Sequence, residues 1–437
     1  MSEEQKSEQH IFSLDRREKE AIRDFEQLLR EQGALNPETR LLYSSSEEVH
    51  QTVSVVVENN TVVAVSARYC GLTTLPASLG QLTRLRELDL TGNRLTVLPE
   101  TLDRWPDLQK LALDDNLLTA LPESLGNLLK LRELHVEANR LTTLPASICQ
   151  LITLEALRCY NNRLTDLPAN IGQLTQLRDI SVGHNLLEKL PESFWHLEHL
   201  QVLNLAENRF TSLPESLGNF SDLQTLDLGH NLLVALPESL ARLTNLTFFL
   251  YLSNNRLTSL SPSLFANMSK LRYLNVTDNQ LTALPESIGR LTNLIELRLY
   301  NNTLTTLPES LGHLSKLKEL HLMHNQLLSL PETLGNLVNL KELRLSDNRL
   351  ETLPASLGNL TQLKILDLRN NCLTALPASL GQLSKLTHLD LRANRLRTLP
   401  STIGALTQLE KLDLRWNKVN SSERLQQLEL RGSVLYT

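Results

Sequence analysis

The sequence is poor in most of the residue types that announce chemistry. Its four cysteines, Cys70, Cys149, Cys159 and Cys372, are scattered and form neither a disulfide framework nor a paired zinc spacing. Aromatic residues make up only 4% of the chain. No run of about 18 apolar residues occurs, so no helix is expected to span a membrane. The opening stretch, MSEEQKSEQHIFSLDRREKE, is polar and charged and lacks the apolar core of a secretory signal. Charge of one sign is also lacking. There are 43 Lys and Arg against 49 Asp and Glu, a net charge of −6. A surface that tracks phosphates needs a basic surplus, so nucleic acid is not an expected partner. These absences point to a reducing, cytoplasmic setting. The glycosylation-like triplets starting at Asn245 and Asn275 are then chance products of a chain rich in Asn and Thr.

Catalytic signatures are missing as well. There is no G-x-x-x-x-G-K-S/T phosphate loop, no G-x-G-x-x-G, no H-E-x-x-H and no G-x-S-x-G. No enzymatic activity, cofactor or metal is expected.

What is present is leucine on a period. Residues 85–107 read LRELDLTGNRLTVLPETLDRWPD, with the skeleton L-x-x-L-x-L-x-x-N-x-L-x-x-L-P. The marker position reads Cys70, then Asn93, and onward in steps of 23 to Asn231, then Asn255, Asn279 and again in steps of 23 to Asn417. Only the steps Asn231–Asn255 and Asn255–Asn279 are 24. Sixteen units result, and a period of this length signals a stacked array rather than separate globular domains.

This skeleton resembles the leucine-rich repeat over roughly residues 53–419. The 23-residue unit with LPxSLGxLxxL is similar to the intracellular class of Ras-group and scribble-like scaffolds and of many bacterial proteins. The resemblance implies an α/β repeat solenoid, a horseshoe with a parallel concave β-sheet and short helical turns on the convex side. It also implies repeats without catalysis, since enzymes with such repeats carry a separate catalytic domain.

Each repeated position has a physical reason. Leu88 and Leu90 alternate with polar residues, the period of a strand buried on one face. The Asn is expected inside the bend, satisfying backbone groups of its own and the next coil. Fourteen of the seventeen prolines follow the last Leu of a unit, where a fixed φ suits the first turn of a helix. Leu125 and Leu128 should face inward in PESLGNL. No unit buries its leucines alone, so the array is one cooperative stack.

Three segments are expected. Residues 1–51 hold an N-terminal capping helix, with Leu14, Ile22, Phe25, Leu28 and Leu29 at helical spacing up to Gly33. Residues 52–419 form the solenoid, entered by a hairpin that turns at Glu58-Asn59-Asn60. Residues 420–437 offer a Ser cap, a short helix and a last strand.

Two polar constellations carry residue types that can bind metal. His184, Glu207 and His230 fall at equivalent positions of three neighbouring strands. Strands lie about 4.8 Å apart, so a straight column does not converge on one ion. His321 and His324 near Asp347 read the same way, as solvated polar residues. His196 and His199 fall on the outer turn.

Function is then sought on the outward strand positions and the two residues before each Asn. Three zones appear. The first is acidic: Glu87, Asp89, Asp114, Asp115, Glu133 and Glu137. The last is a ladder, with Asp367, Asp390 and Asp413 each two residues before Arg369, Arg392 and Arg415, on one face and mutually neutralising. Trp416 ends it. The middle zone holds Arg158, Tyr160, His184, His230, Phe249, Tyr251, Tyr273, Arg298, Tyr300, His321, Met323, His324 and Arg344. Exposed Tyr, Arg and Met are types enriched in interface cores. This zone is the expected protein-binding patch. Within it, residues 247–271 break the rhythm. They carry one extra residue before the strand, Leu260-Ser261-Pro262 in place of Leu-Pro, and a second extra residue on the outer turn. A bulge is possible there, with Phe249, Tyr251 and Tyr273 clustered.

The expectation is a monomeric, non-catalytic scaffold or adaptor that recognises another protein on its concave face. The family resemblance adds signalling through a small GTPase or a phosphatase. The alternative is a bacterial effector acting on host proteins.

Overall fold

The computed structural model describes residues 14–35, 42–44, 53–420 and 423–436. The chain forms two compact units, Met1–Arg209 and Phe210–Thr437.

The first unit opens with the helix Arg16–Glu31. Asp15 caps it, its Oδ1 accepting the Glu18 N–H at 2.8 Å. The helix buries Ala21, Ile22, Phe25 and Leu29 and packs on the turn Ala77–Gln81. Gly33 ends it at φ +73°, a left-handed conformation that glycine adopts without strain. The antiparallel hairpin Val53–Glu58/Thr61–Ala67 follows. Its turn residues Asn59 and Asn60 have φ 48° and 63°, as a two-residue turn with matching twist requires. Buried Glu18 ties the helix to this hairpin by accepting the Val62 N–H at 3.2 Å. One strand was not foreseen: Leu42–Ser44 pairs parallel with Val53–Glu58, inside the stretch read only as a helical cap. From Thr61–Ala67 onward the unit is a parallel ladder of three-residue strands, beginning with Glu87–Asp89 and ending at Val202–Asn204.

The second unit is a parallel ladder from Thr225–Asp227 to Val434–Tyr436, with the helix Glu423–Leu430 before its last strand. The short helix and final strand match expectation. The proposed Ser cap at 421–422 lies outside the described residues.

Most coils pair a strand with one tight turn of 3-10 helix, the coil after Phe249–Tyr251 having plain turns instead, and the 3-10 turns stack on neighbouring turns. Three expectations change in detail. First, proline does not enter the helix. Pro122, at φ −72° and ψ 151°, precedes the turn Glu123–Asn127, and its carbonyl accepts the Leu125 N–H at 3.1 Å. A 23-residue coil leaves room for one tight turn, and proline sets the extended approach to it. Leu125 and Leu128 are buried, as read. Second, the Asn reaches back rather than forward. Asn116 Oδ1 accepts the Leu95 N–H at 3.0 Å, and its Nδ2 donates to Leu90, Leu113 and Asp114 carbonyls. One amide thereby satisfies its own coil and the preceding one, where an unpaired polar group would cost about 1–3 kcal/mol. Cys70 stands where the preceding element is the hairpin, and its thiol donates to Arg68 O at 3.3 Å. Third, the irregular stretch makes no bulge inside the ladder. Thr247 and Phe248 N–H both donate to Gln224 O at 3.0 and 3.1 Å, and register resumes at Phe249↔Tyr273. The insertion is absorbed before the strand by Phe248, which is 44% exposed. Ser261 takes proline's role: its carbonyl accepts the Leu264 N–H at 3.1 Å, and its hydroxyl donates to Glu238 Oε2 at 2.7 Å.

The outer turns approach closely. A Cβ on Gly335 would sit 2.4 Å from Ser356 O, which explains the glycine in ESLGN-type turns. Glutamate at the turn start grips the next coil. Glu123 accepts N–H bonds from Ala146 and Ser147 at 3.3 and 3.0 Å. The Ser147 bonds hold its carboxyl below the usual range.

Candidate functional site

Leucine alternation turns two side chains per strand outward, and two residues follow them before each Asn. The last of these is left-handed in nearly every coil. His184, Glu207 and His230, at φ 51°, 54° and 52°, occupy this position. They are turn residues, not strand residues as first read, because the backbone must reverse just ahead of the buried Asn.

In the first unit, Arg158 Nη2 pairs with Asp179 Oδ2 at 2.7 Å. The Tyr160 hydroxyl donates to Glu207 Oε1 at 2.7 Å, and its ring meets His184 edge-on at 5.7 Å. His184 Nδ1 lies 3.7 Å from Glu207 Oε2. The acidic zone is partly compensated by Lys110, 3.6 Å from both Glu87 and Glu133. Asp114 stands out. Burial, aided by the Glu137, Asp115 and Asp89 charges, pushes it up to about 6 despite its bond from the Glu137 N–H. His135, absent from the expected set, lies 3.6 Å from Glu133, and burial lowers it.

In the second unit, two strands gather the rings. Phe249 stacks on Tyr251 at 5.5 Å and 22°, Phe249 meets Tyr273 edge-on at 5.7 Å, and Tyr251 lies 5.1 Å from Tyr273. Arg298 extends the cluster, its guanidinium 5.5 Å from the Tyr273 ring centre. Burial pushes Tyr273 up to about 12 and raises Tyr251. Phe249 remains 39% exposed beside Phe248, leaving an apolar surface in water. His230 does not join the rings. Its Nε2 lies 3.2 Å from Asn254 Nδ2 on the next turn. Tyr300 and Met323 are half-buried just past their strands, and Arg344 pairs with Glu342.

His321 departs most from expectation. Read as exposed beside His324 and Asp347, it is 8% exposed, walled in by neighbouring strands. Its partner is Glu319 at 3.3 Å, whereas His324 pairs with Asp347 at 3.6 Å. Glu296, Glu319 and His321 bring their donor atoms within 4.8 Å of one another. The sequence held the signal for these glutamates: Glu296, Glu319 and Glu342 recur every 23 residues at the first outward position.

The last zone forms the ladder as read. Arg392 Nη2 lies 2.5 Å from Asp390, Arg415 Nη2 2.6 Å from Asp413, and Arg369 Nε 3.5 Å from Asp367. Arg392 also reaches Asp413 at 3.4 Å. Burial works against ionising Asp413, but hydrogen bonds and charge from Arg415 and Arg392 hold it below the usual range. Asp367, less closely paired, stays raised by burial.

Among the described residues no helix is long and apolar enough to cross a membrane. A leucine-rich repeat region model matches residues 258–348 and 331–432, and a leucine rich repeat model matches residues 83–141, 152–210 and 198–250. Among solved structures the chain is similar to a leucine-rich repeat protein of Leptospira interrogans. That pair is 38% identical, covers 85% of this chain and 94% of the other, and has a TM-score of 0.78. It is also similar to the plant peptide hormone receptor RGFR1 in complex with RGF2. Identity there is 29%, coverage 83% of this chain and 63% of the receptor, and TM-score 0.70. The Drosophila Toll–Spatzle complex gives 27%, 83%, 52% and 0.71 for the same quantities. No curated protein matches the chain.

Proposed function

The chain belongs to the leucine-rich repeat family, and from that membership we propose that it is a non-catalytic scaffold that takes another protein on the exposed, concave face of its sheet. The observation that carries this reading is the cluster of Phe249, Tyr251 and Tyr273, three outward rings in mutual contact, with Arg298 over Tyr273. Rings held this way lose little conformational freedom on binding and offer large apolar area. Met323, Tyr300, His321 and Arg344 flank the cluster on the following coils. His230 lies on a preceding turn. Arg158, Tyr160 and His184 offer a second contact region in the first unit. Two of the similar structures, RGFR1 and Toll, are complexes with protein or peptide ligands, and they support a protein partner.

The finer reading is a monomeric cytoplasmic adaptor of the 23-residue class, in signalling through a small GTPase or phosphatase. A second reading is a bacterial recognition protein acting on host proteins. The 38% identity to the Leptospira interrogans protein favours it. A secretion assay separates the two.

The test is affinity capture with the whole chain, then calorimetric titration of the captured protein. Tyr251→Ala with Tyr300→Ala should weaken binding at least thirty-fold, about 2 kcal/mol, with the fold intact. Unchanged affinity in the folded double variant would sink the assignment.

A further inference from the structure

We propose that Glu296, Glu319 and His321 form a binding site for one divalent transition-metal ion. Six consecutive strands of the second unit, from Glu296–Arg298 to Lys411–Asp413, each carry an acid with a base two residues on. In five of them the base is arginine: Arg298, Arg344, Arg369, Arg392 and Arg415. A guanidinium is always charged, so each of those acids has a permanent cation beside it. On the strand Glu319–His321 the base is imidazole, a group that ligates metals when neutral. Arg298 pairs with Glu296, whereas Glu319 pairs with the His321 imidazole rather than with a permanent cation.

The geometry suits an ion. Glu296 and Glu319 are register partners on adjacent strands, and Glu319 and His321 share a face of one strand. Their donor atoms lie within 4.8 Å of one another. An ion about 2.0–2.2 Å from each donor needs those atoms about 3–4 Å apart, which small side-chain rotations supply. The His321 side chain is 11% exposed, so its ring is largely held in place, and its Nε2 faces Glu319 at 3.3 Å. Arg298 Nε binds Glu296 Oε1 at 2.5 Å and leaves the other oxygen for the ion, an outer hydrogen bond of the kind that orients ligating carboxylates.

One imidazole nitrogen and two carboxylate oxygens favour zinc, cobalt, nickel or copper over calcium and magnesium, which prefer all-oxygen shells. Three protein donors leave a further position for water. Arg298 and Arg344, in register on either side of His321, repel a cation and keep the affinity moderate.

The test needs no protein partner. The chelator-stripped full chain is titrated with cobalt chloride, followed by its visible absorption, and with zinc chloride by calorimetry. Other histidine–acid pairs, His184 with Glu207 and His324 with Asp347, can take up metal adventitiously. The comparison is therefore among wild type, His321→Gln, Glu319→Gln and the control His324→Gln, each checked for folding by circular dichroism. Wild type and His324→Gln should share a binding event that weakens at least ten-fold in both site variants. If His321→Gln does not fold, Glu319→Gln, at a half-buried position, decides. Identical titrations for wild type and the folded site variants, or no binding by wild type, would overturn the proposal.

Discussion

The strand Phe249–Tyr251 presents Phe249 and Tyr251 outward, and the strand Lys411–Asp413, in the same unit, presents Lys411 and Asp413. Backbone, register and buried leucines are alike in the two. The outward chemistry differs in what it leaves over. Asp413 is 1% exposed and takes both Arg415 and Arg392, so its hydrogen-bonding capacity is used within the sheet. The rings contact one another and Arg298, and Phe248 and Phe249 stay 44% and 39% exposed. Ion pairs across neighbouring strands hold the sheet together. Aromatic residues at the same positions leave apolar area that water solvates poorly. We therefore propose stability as the role of the ladder and recognition as that of the rings.

The comparison breaks most readily at the ladder. Asp413→Ala removes the acceptor of Arg415, while Arg392 keeps Asp390, and the loss should cost about 2 kcal/mol in denaturant unfolding. Partner affinity should not change. A loss below about 0.5 kcal/mol would reduce the ladder to surface charge. The reciprocal change is Phe249→Ser. It should weaken the partner about ten-fold or more, yet cost at most about 1 kcal/mol of stability, the worth of a ring pair. A variant that unfolds with unchanged affinity per folded molecule would reverse the two roles.

Titration sharpens the contrast further. Asp114 is raised to about 6, so the folded state binds its proton more tightly than the unfolded chain does. Its contribution to stability falls as pH rises through 4–6 and is least favourable at neutrality. Asp413 has the opposite sign: held low by its arginines, it stabilises at neutral pH and loses that as acid protonates it. Asp114→Asn keeps the acceptor for the Glu137 N–H and should therefore stabilise by about 1–2 kcal/mol at pH 7, with no gain at pH 4. A pH-independent difference would contradict the assignment. The smallest effect belongs to Trp416, which is 73% exposed in a left-handed conformation at φ 59°. Equivalent coils place Asn161, Asn254, Asn301 and Asn370 there. Trp416→Asn should raise stability by about 0.5–1 kcal/mol, offset slightly by the lost contact with Arg415, and a thermal melt reads it.

The repeat was legible because most buried positions are leucine on a fixed period, with other apolar residues in the rest, and burial leaves few alternatives. The Asp–Arg ladder was legible because its partners lie two residues apart on one strand. The direction of the Asn bridge was not, since an amide satisfies either neighbouring coil equally well on paper. His321 was misplaced for a related reason. Counting residues sets it near His324, but His324 is itself the left-handed turn residue, which sends it to Asp347 and leaves His321 among neighbouring strands. Leu42–Ser44 was missed because three residues carry no periodicity.

The central claim is tested most directly by hydroxyl-radical footprinting of the chain with its captured partner. Phe248, Phe249, Tyr251 and Tyr273 should lose reactivity on binding, while Trp416 and the outer 3-10 turns keep theirs. Protection confined to those turns, with the four rings unchanged, would contradict it.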